Sequence, residues 1–307
     1  MSAETVRLAG VSKSYGRLTA VRNVDLALAV GECVALVGHN GAGKSTLIKL
    51  MLGLIRPTDG RVSILGENPA GGGAARARRD IGYLPENVAL HPALTGAETL
   101  AFYARLKRQP IGRNAELLER VGIADAARRR VGTYSKGMRQ RLGLAQALLG
   151  APKVLLLDEP TTGLDPALRK GFYEIVRALR DSGATILLSS HALAELEGQV
   201  DRVVIMNRGR KVADGTLTEL RRLARQPVVI RLTMPAAQSA RLPAIIGPAT
   251  AWRRVSPATL EMSCAEDEKS AVIRELGALP ADFSDIEILA PTLDDMYAHF
   301  LMREAAE

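Results

Sequence analysis

Residues 38–46 read Gly-His-Asn-Gly-Ala-Gly-Lys-Ser-Thr, directly after the apolar run 33–37. Each residue type there has a task on a nucleoside triphosphate. Glycine lacks a Cβ and reaches positive φ at little steric cost, so Gly38, Gly41 and Gly43 let the backbone turn its N–H groups toward phosphate oxygens. Lys44 is long enough to reach the β- and γ-phosphates, and the Ser45 hydroxyl can ligate Mg²⁺. Asn40 and Thr46 belong to the same loop and complete its set of candidate nucleotide contacts. Residues 47–52 continue with helix formers, the context such a loop requires. The pattern is expected to bind ATP or GTP.

Three further segments carry chemistry. The run 155–160, Leu-Leu-Leu-Asp-Glu-Pro, ends a buried strand in two carboxylates, at the end where open α/β sheets bind ligands. Asp158 is suited to hold the Mg²⁺ that Ser45 touches, and Glu159 to polarise a water for in-line attack on the γ-phosphate. Ser189-Ser190-His191 ends the next strand, so His191 should emerge at the same sheet edge, where it can meet the γ-phosphate or orient Glu159. In Tyr134-Ser135-Lys136-Gly137-Met138, Ser135 and Gly137 offer a hydroxyl and backbone N–H donors at a helix N-terminus, which favours anions.

These residues need elements that place them together. Strands are expected at 6–8, 24–28, 33–37, 61–65, 154–157, 185–188 and 202–206, with a helix over 166–180 between the fifth and sixth. Short continuous apolar runs joined by a helix argue a parallel sheet covered on both faces. Residues 66–73 read as a loop, and 99–150 as helical. After Leu220 the composition shifts toward Pro and Ala. Strands over 228–233, 252–255, 259–263 and 285–289, with helices over 236–246, 266–277 and 293–302, give the order of a small ferredoxin-like α+β domain with an added helix. The expected division is therefore 1–220 and 221–307, with a helical subdomain over about 87–150.

Composition narrows the class. The 307 residues are 47% hydrophobic, as expected of an α/β chain, and carry a formal charge of +8. The arginine clusters have no interleaved aromatics, so they read as solvated faces, suited to an anionic membrane surface and not to nucleic acid. Two distant cysteines and four histidines suggest neither a disulfide framework nor a metal cluster. No basic-then-apolar leader and no apolar stretch of about 18 residues is present, which gives the expectation of a cytoplasmic chain that reaches a membrane through a partner.

Taken together, the phosphate loop, Ser135 to Gly137, Asp158-Glu159, Gly163-Leu164-Asp165 and His191 occur in the order and spacing of the ATP-binding-cassette (ABC) ATPases, which residues 4–220 resemble. The resemblance implies a P-loop NTPase fold with a helical subdomain. It makes Tyr15 the aromatic that stacks on adenine, the segment 134–138 the signature, and Asp165 part of the D-loop. The usual signature is L-S-G-G-Q, and here Lys136 and Met138 replace Gly and Gln. Glu86 stands at the position usually Gln, where a carboxylate can still approach Mg²⁺ or its water.

The run 83–90, the segment 133–150 and the ending 291–297 are similar to the ATPase subunits of transporters that mature nitrous-oxide reductase, the NosF type. That resemblance implies ATP and Mg²⁺ as cofactors and a homodimer in which each loop faces the other copy's signature. It further implies integral membrane permease subunits, a periplasmic accessory protein, a copper- or sulfur-related cargo, and a peripheral position at the cytoplasmic face of a bacterial inner membrane. The rival readings are the ATPase of a drug- or lipid-type exporter and a soluble non-transport cassette. A GTPase switch is disfavoured, because no N-K-x-D element reads guanine.

Overall fold

The computed structural model describes residues 4–72, 74–236, 252–279 and 283–306. The chain divides into two compact units, Met1–Thr216 and Leu217–Glu307.

In the first unit, β1 (Glu4–Tyr15), β2 (Leu18–Ala29), β3 (Cys33–Val37), α1 (Lys44–Met51) and β4 (Asp59–Ile64) come first. They are followed by α2 (Ala74–Arg79), β5 (Ile81–Leu84) and the helical block α3 (Gly96–Leu106), α4 (Asn114–Arg120) and α5 (Lys136–Ala147). Then come β6 (Val154–Leu157), α6 (Pro166–Asp181), β7 (Thr185–Ser190), β8 (Arg202–Asn207) and β9 (Arg210–Gly215). An antiparallel sheet has the order β2-β1-β4, and a larger one the order β5-β6-β7-β3-β8-β9. The larger sheet is parallel except for its edge strand β9, which pairs antiparallel with β8.

Every residue of β3, β6 and β7 is buried. Strands covered on both faces lose the polar alternation of half-exposed strands, which is why these runs read as continuous apolar segments. Since β3 pairs with β7 and β7 with β6, all in parallel, their carboxyl ends lie side by side. The segments after the three strands begin at residues 38, 158 and 191, so this topology places the phosphate loop, the two carboxylates and the histidine at one edge. The α/β class is as expected.

Some elements differ from the sequence reading. The strand β5 was not expected: it is four residues long and contains Gly82, which lowers its strand signal. The glycine is needed because a Cβ there would collide with the Ala147 carbonyl oxygen at the end of α5. The edge strand β9 was not expected either: it reads as polar sequence, Arg-Lys-Val-Ala-Asp-Gly, with little apolar signal. Helix α3 starts at Gly96, where Thr95 and Glu98 form a reciprocal capping box.

The second unit contains α7 (Leu217–Ala224), β10 (Val228–Thr233), β11 (Arg253–Ser256), β12 (Thr259–Cys264), α8 (Lys269–Gly277), β13 (Asp285–Leu289) and α9 (Leu293–Ala306). Its antiparallel sheet has the order β11-β12-β10-β13, the strand order of a ferredoxin-like unit. The helix expected over 236–246 lies, beyond Ala236, outside the described residues. One face of the sheet buries Val228, Ile230, Leu232, Leu260 and Met262. The opposite face carries a charge ladder, Arg253–Glu261–Arg231–Glu287, with ion pairs of 2.8–2.9 Å across all four strands. The helix α7 was not expected, because the expected domain boundary at 220 falls inside its two turns.

Both cysteines are free and buried. Burial, reinforced by Asp201, pushes the Cys33 thiol up to about 12, and burial also raises Cys264. Thiolates do the nucleophilic work in alkylation. An alkylating reagent at pH 8 is therefore expected to leave both cysteines unmodified in the folded chain and to label both after denaturation, as read by mass spectrometry.

Candidate nucleotide-binding site

The loop between β3 and α1 is held by close backbone approach. Gly43 has φ +104°, and a Cβ there would lie 2.6 Å from the Ala20 carbonyl oxygen of β2. Only glycine fits both the conformation and the space. Gly43 then starts α1, whose first N–H groups have no partner within the helix and form an anion-attracting end. Lys44, 6% exposed, donates from Nζ to the Gly38 carbonyl and lies 3.6 Å from Glu159 Oε1. Ser45 Oγ donates to Asp158 Oδ1 at 3.4 Å.

The carboxylates occupy the end of β6. The Asp158 N–H donates to Leu84 O at 2.8 Å, and both carboxylates are buried. Glu159 has φ +48°, a left-handed conformation that costs a non-glycine residue free energy and persists where neighbours over-determine it. Ser189, fully buried in β7, is one such neighbour. Its Oγ accepts from the Glu159 N–H at 2.8 Å and donates to Asp158 Oδ1 at 2.7 Å. His191 Nδ1 is 2.7 Å from Glu159 Oε2. The sequence offered His191 two partners, the γ-phosphate and Glu159; here the hydrogen bond runs to Glu159. In the sequence Ser189 is only part of a strand end; the pairing of β7 with β6 is what gives it a role.

A cavity of about 600 Å³ opens over the loop. Tyr15, Asn40, Gly41, Gly43, Lys44, Ser45, Thr46, Glu86 and Glu159 line it, so most of the expected contacts share one space. Arg22 and Arg208 also line it, and the sequence reading missed both. Their signal is tertiary: the Arg22 N–H donates to Gly209 O at 2.8 Å, joining β2 to the β8–β9 turn behind the loop. Tyr83, behind Asp158, stays a neutral phenol because burial, then the Asp158 carboxylate, raises its pKa.

Gly38, Asp158 and His191 are not in the lining but bond to Lys44, Ser45 and Glu159, which are; Ser135, Gly137 and Asp165 do not line the cavity either. Ser135 caps α5, accepting from the Met138 N–H at 3.2 Å, and its side chain is exposed. Asp165 caps α6, with Oδ1 accepting from the Leu168 N–H at 2.9 Å. Ser45, Asp158 and Glu86 present only oxygen donors, a set that suits a hard divalent cation such as Mg²⁺.

The ABC transporter family profile matches residues 21–162. The chain is 32% identical over 306 residues to the linearmycin resistance ATP-binding protein LnrL of Bacillus subtilis (strain 168), covering 95% of this chain and 97% of that one. It is 36% identical over 309 residues to the daunorubicin resistance ATP-binding protein DrrA3 of Streptomyces coeruleorubidus, covering 97% and 96%. Among solved structures, an ATP-binding subunit of an ABC transporter matches with TM-score 0.67 at 35% identity, over 71% of this chain and 92% of that one. A dimeric bacterial ABC transporter cassette matches with TM-score 0.64 at 26% identity, over 69% and 98%. The chain belongs to the ATP-binding subunits of ABC transporters, and it binds ATP.

Ser189→Ala leaves the buried Glu159 N–H without its acceptor and removes a donor from Asp158. The substitution is expected to lower stability by about 1–3 kcal/mol. Denaturant unfolding of the full chain checks this, and an unchanged midpoint would contradict the role given to Ser189.

Proposed function

We propose that the chain hydrolyses ATP in a homodimer and thereby drives a separate membrane permease. The observation that carries this reading is the convergence of Lys44, Asp158, Glu159 and His191 at one sheet edge. The Lys44 ammonium is divided between Gly38 O and the Glu159 carboxylate. The β- and γ-phosphates carry more negative charge than one carboxylate, so ATP draws Lys44 away and frees Glu159. Glu159 then accepts the proton of a water that attacks the γ-phosphorus in line, while the bond to the β,γ-bridging oxygen breaks, giving ADP and phosphate. His191 holds the Glu159 carboxylate in position. Ser45 and Asp158, with Glu86 from the lining of the cavity, would hold Mg²⁺, which would supply charge neutralisation on the phosphate oxygens.

In this proposal Ser135 and Gly137 of a second copy complete the site, with Asp165 beside them. The dimeric structure of one matched cassette supports this arrangement. ATP closes the pair because these donors meet the γ-phosphate only in the closed state, and hydrolysis removes that differential contact. Among the described residues no helix is long and apolar enough to cross a membrane. An apolar groove of about 250 Å³ between α1 and α3, lined by Leu52, Leu54, Tyr103 and Leu106, suits a helix of the permease. Leu54 and Leu106 are 62% and 64% exposed on its rim. The site of action is then the cytoplasmic face of a bacterial inner membrane. The second unit adds dimer contacts, consistent with its lack of a phosphate loop.

For the cargo, runs 83–90 and 291–297 favour a copper- or sulfur-related species for nitrous-oxide reductase, with a periplasmic accessory protein downstream. A second reading, extrusion of an amphiphilic natural product, is favoured by the names of the two relatives matched over nearly the whole chain. ATPase activity of the purified permease complex distinguishes them. Stimulation by the periplasmic partner of nitrous-oxide reductase assembly supports the first, and stimulation by a polyene or anthracycline supports the second.

Glu159→Gln is expected to keep ATP affinity within about twofold while lowering turnover by about 100-fold or more, the range for loss of a general base. Single-turnover hydrolysis and nucleotide titration check the two halves. Unchanged turnover would remove Glu159 from the role of base.

A further inference from the structure

Glu159 and His191 stand on different segments, one after β6 and one after β7. Their 2.7 Å hydrogen bond survives only while those segments stay aligned beyond the ends of the strands. Upstream of the contact, Ser189 ties Glu159 to β7. Downstream, a second tie lies farther from the nucleotide cavity. Arg169, in the first turn of α6, places Nη1 2.5 Å from Glu195 Oε1. Its Nη2 donates to Leu164 O at 3.2 Å. The other Glu195 oxygen, Oε2, accepts from Thr161 Oγ1 at 3.2 Å. Thr161 is two residues past Glu159, and Glu195 is four past His191. One carboxylate thus joins the segment carrying Glu159 to the segment carrying His191, and Arg169 fixes that carboxylate to α6 and to the Leu164 backbone. Between Glu159 and Thr161, the Pro160 carbonyl accepts from Gln140 Nε2 of α5 at 3.2 Å, a buried contact.

The tie is partly shielded from solvent, with side-chain exposures of 32% for Arg169 and 20% for Glu195, so it is screened less than a surface ion pair. The adjacent Tyr173 remains an uncharged phenol, its pKa pushed up to about 12 by burial and by the Glu195 carboxylate. It therefore does not compete with Glu195 as an anion. The backbone of Glu159 supplies the reason a tie is needed. Its φ of +48° is an unfavourable conformation, and a segment free to relax would swing the carboxylate away from His191 and from the water it activates.

We infer that Arg169 and Glu195 are positioning residues for ATP hydrolysis, an ion-pair clamp that holds Glu159 and His191 in register. The inference rests on the reading of Glu159 as the general base. A misplacement of about 1 Å at a reacting centre costs on the order of 100-fold in rate. Loss of the clamp acts on the chemical step and leaves the loop that grips ATP untouched.

The experiment uses the full-length chain, purified in the complex it forms with its membrane partner, and compares Arg169→Ala, Glu195→Gln and Arg169→Lys. Arg169→Ala and Glu195→Gln are each expected to lower kcat by about 10- to 100-fold with KM for ATP within about twofold. Arg169→Lys keeps a cation opposite a single Glu195 oxygen and is expected to retain kcat within about threefold. A purely structural staple would not show this pattern. Unchanged kcat in Arg169→Ala, a rise in KM matching the fall in kcat/KM, or no rescue by lysine would each overturn the clamp. Glu159→Gln, measured alongside, separates the two levels. If it abolishes turnover while Arg169→Ala does not lower it, the clamp alone fails; if Glu159→Gln leaves turnover intact, the base reading beneath it fails.

Discussion

A lysine ammonium 3.6 Å from a carboxylate, both almost wholly buried, is the interaction around which the nucleotide site is arranged. Removing two ions from water is costly, and a buried pair persists only with good geometry and further hydrogen bonds. Lys44 has the Gly38 carbonyl, and Glu159 has His191. Each charge therefore keeps a hydrogen-bonding partner in addition to the other ion. The rest of the first unit serves the same juxtaposition. Parallel pairing of β3, β7 and β6 brings three strand ends together, and Ser189 bonds the two carboxylate residues to the neighbouring strand.

Much of this was legible in the sequence because the chemistry is concentrated in short segments with strong local signals. The loop 38–46 needs its glycines, and Gly43 shows why: its φ and the approach of Ala20 O leave no room for a side chain. The strands β3 and β6 are apolar throughout and β7 is apolar over 186–188, so their ends, and the residues just beyond them, could be located. What stayed hidden depends on partners distant in sequence. Ser189 looks like any strand serine until β7 is paired with β6. Arg22 and Arg208 reach the cavity only because the β8–β9 turn meets β2. Arg169 and Glu195 are ordinary helix and turn residues, 26 apart, until α6 is laid beside the segment after His191. The short β5 and the polar edge strand β9 lack the apolar signal that betrays a buried strand.

The second unit is read differently. Its strand order and its apolar face follow from alternation, with Val228, Ile230 and Leu232 on one side of β10 and Arg231 on the other. The charge ladder across that sheet could not be read, because register decides which Arg meets which Glu. In the proposed mechanism the loop and the carboxylates act on ATP, Mg²⁺ and water, with His191 holding Glu159, so the transported species has to be sought through partner chains.

The composite nature of the site is tested most directly by the molar mass of the full-length Glu159→Gln chain in solution. Sedimentation equilibrium with saturating Mg-ATP should give twice the 32.9 kDa of one chain, reverting to one chain with ADP and with Ser135→Ala added. A mass that stays at one chain with saturating ATP would contradict a site shared between two copies.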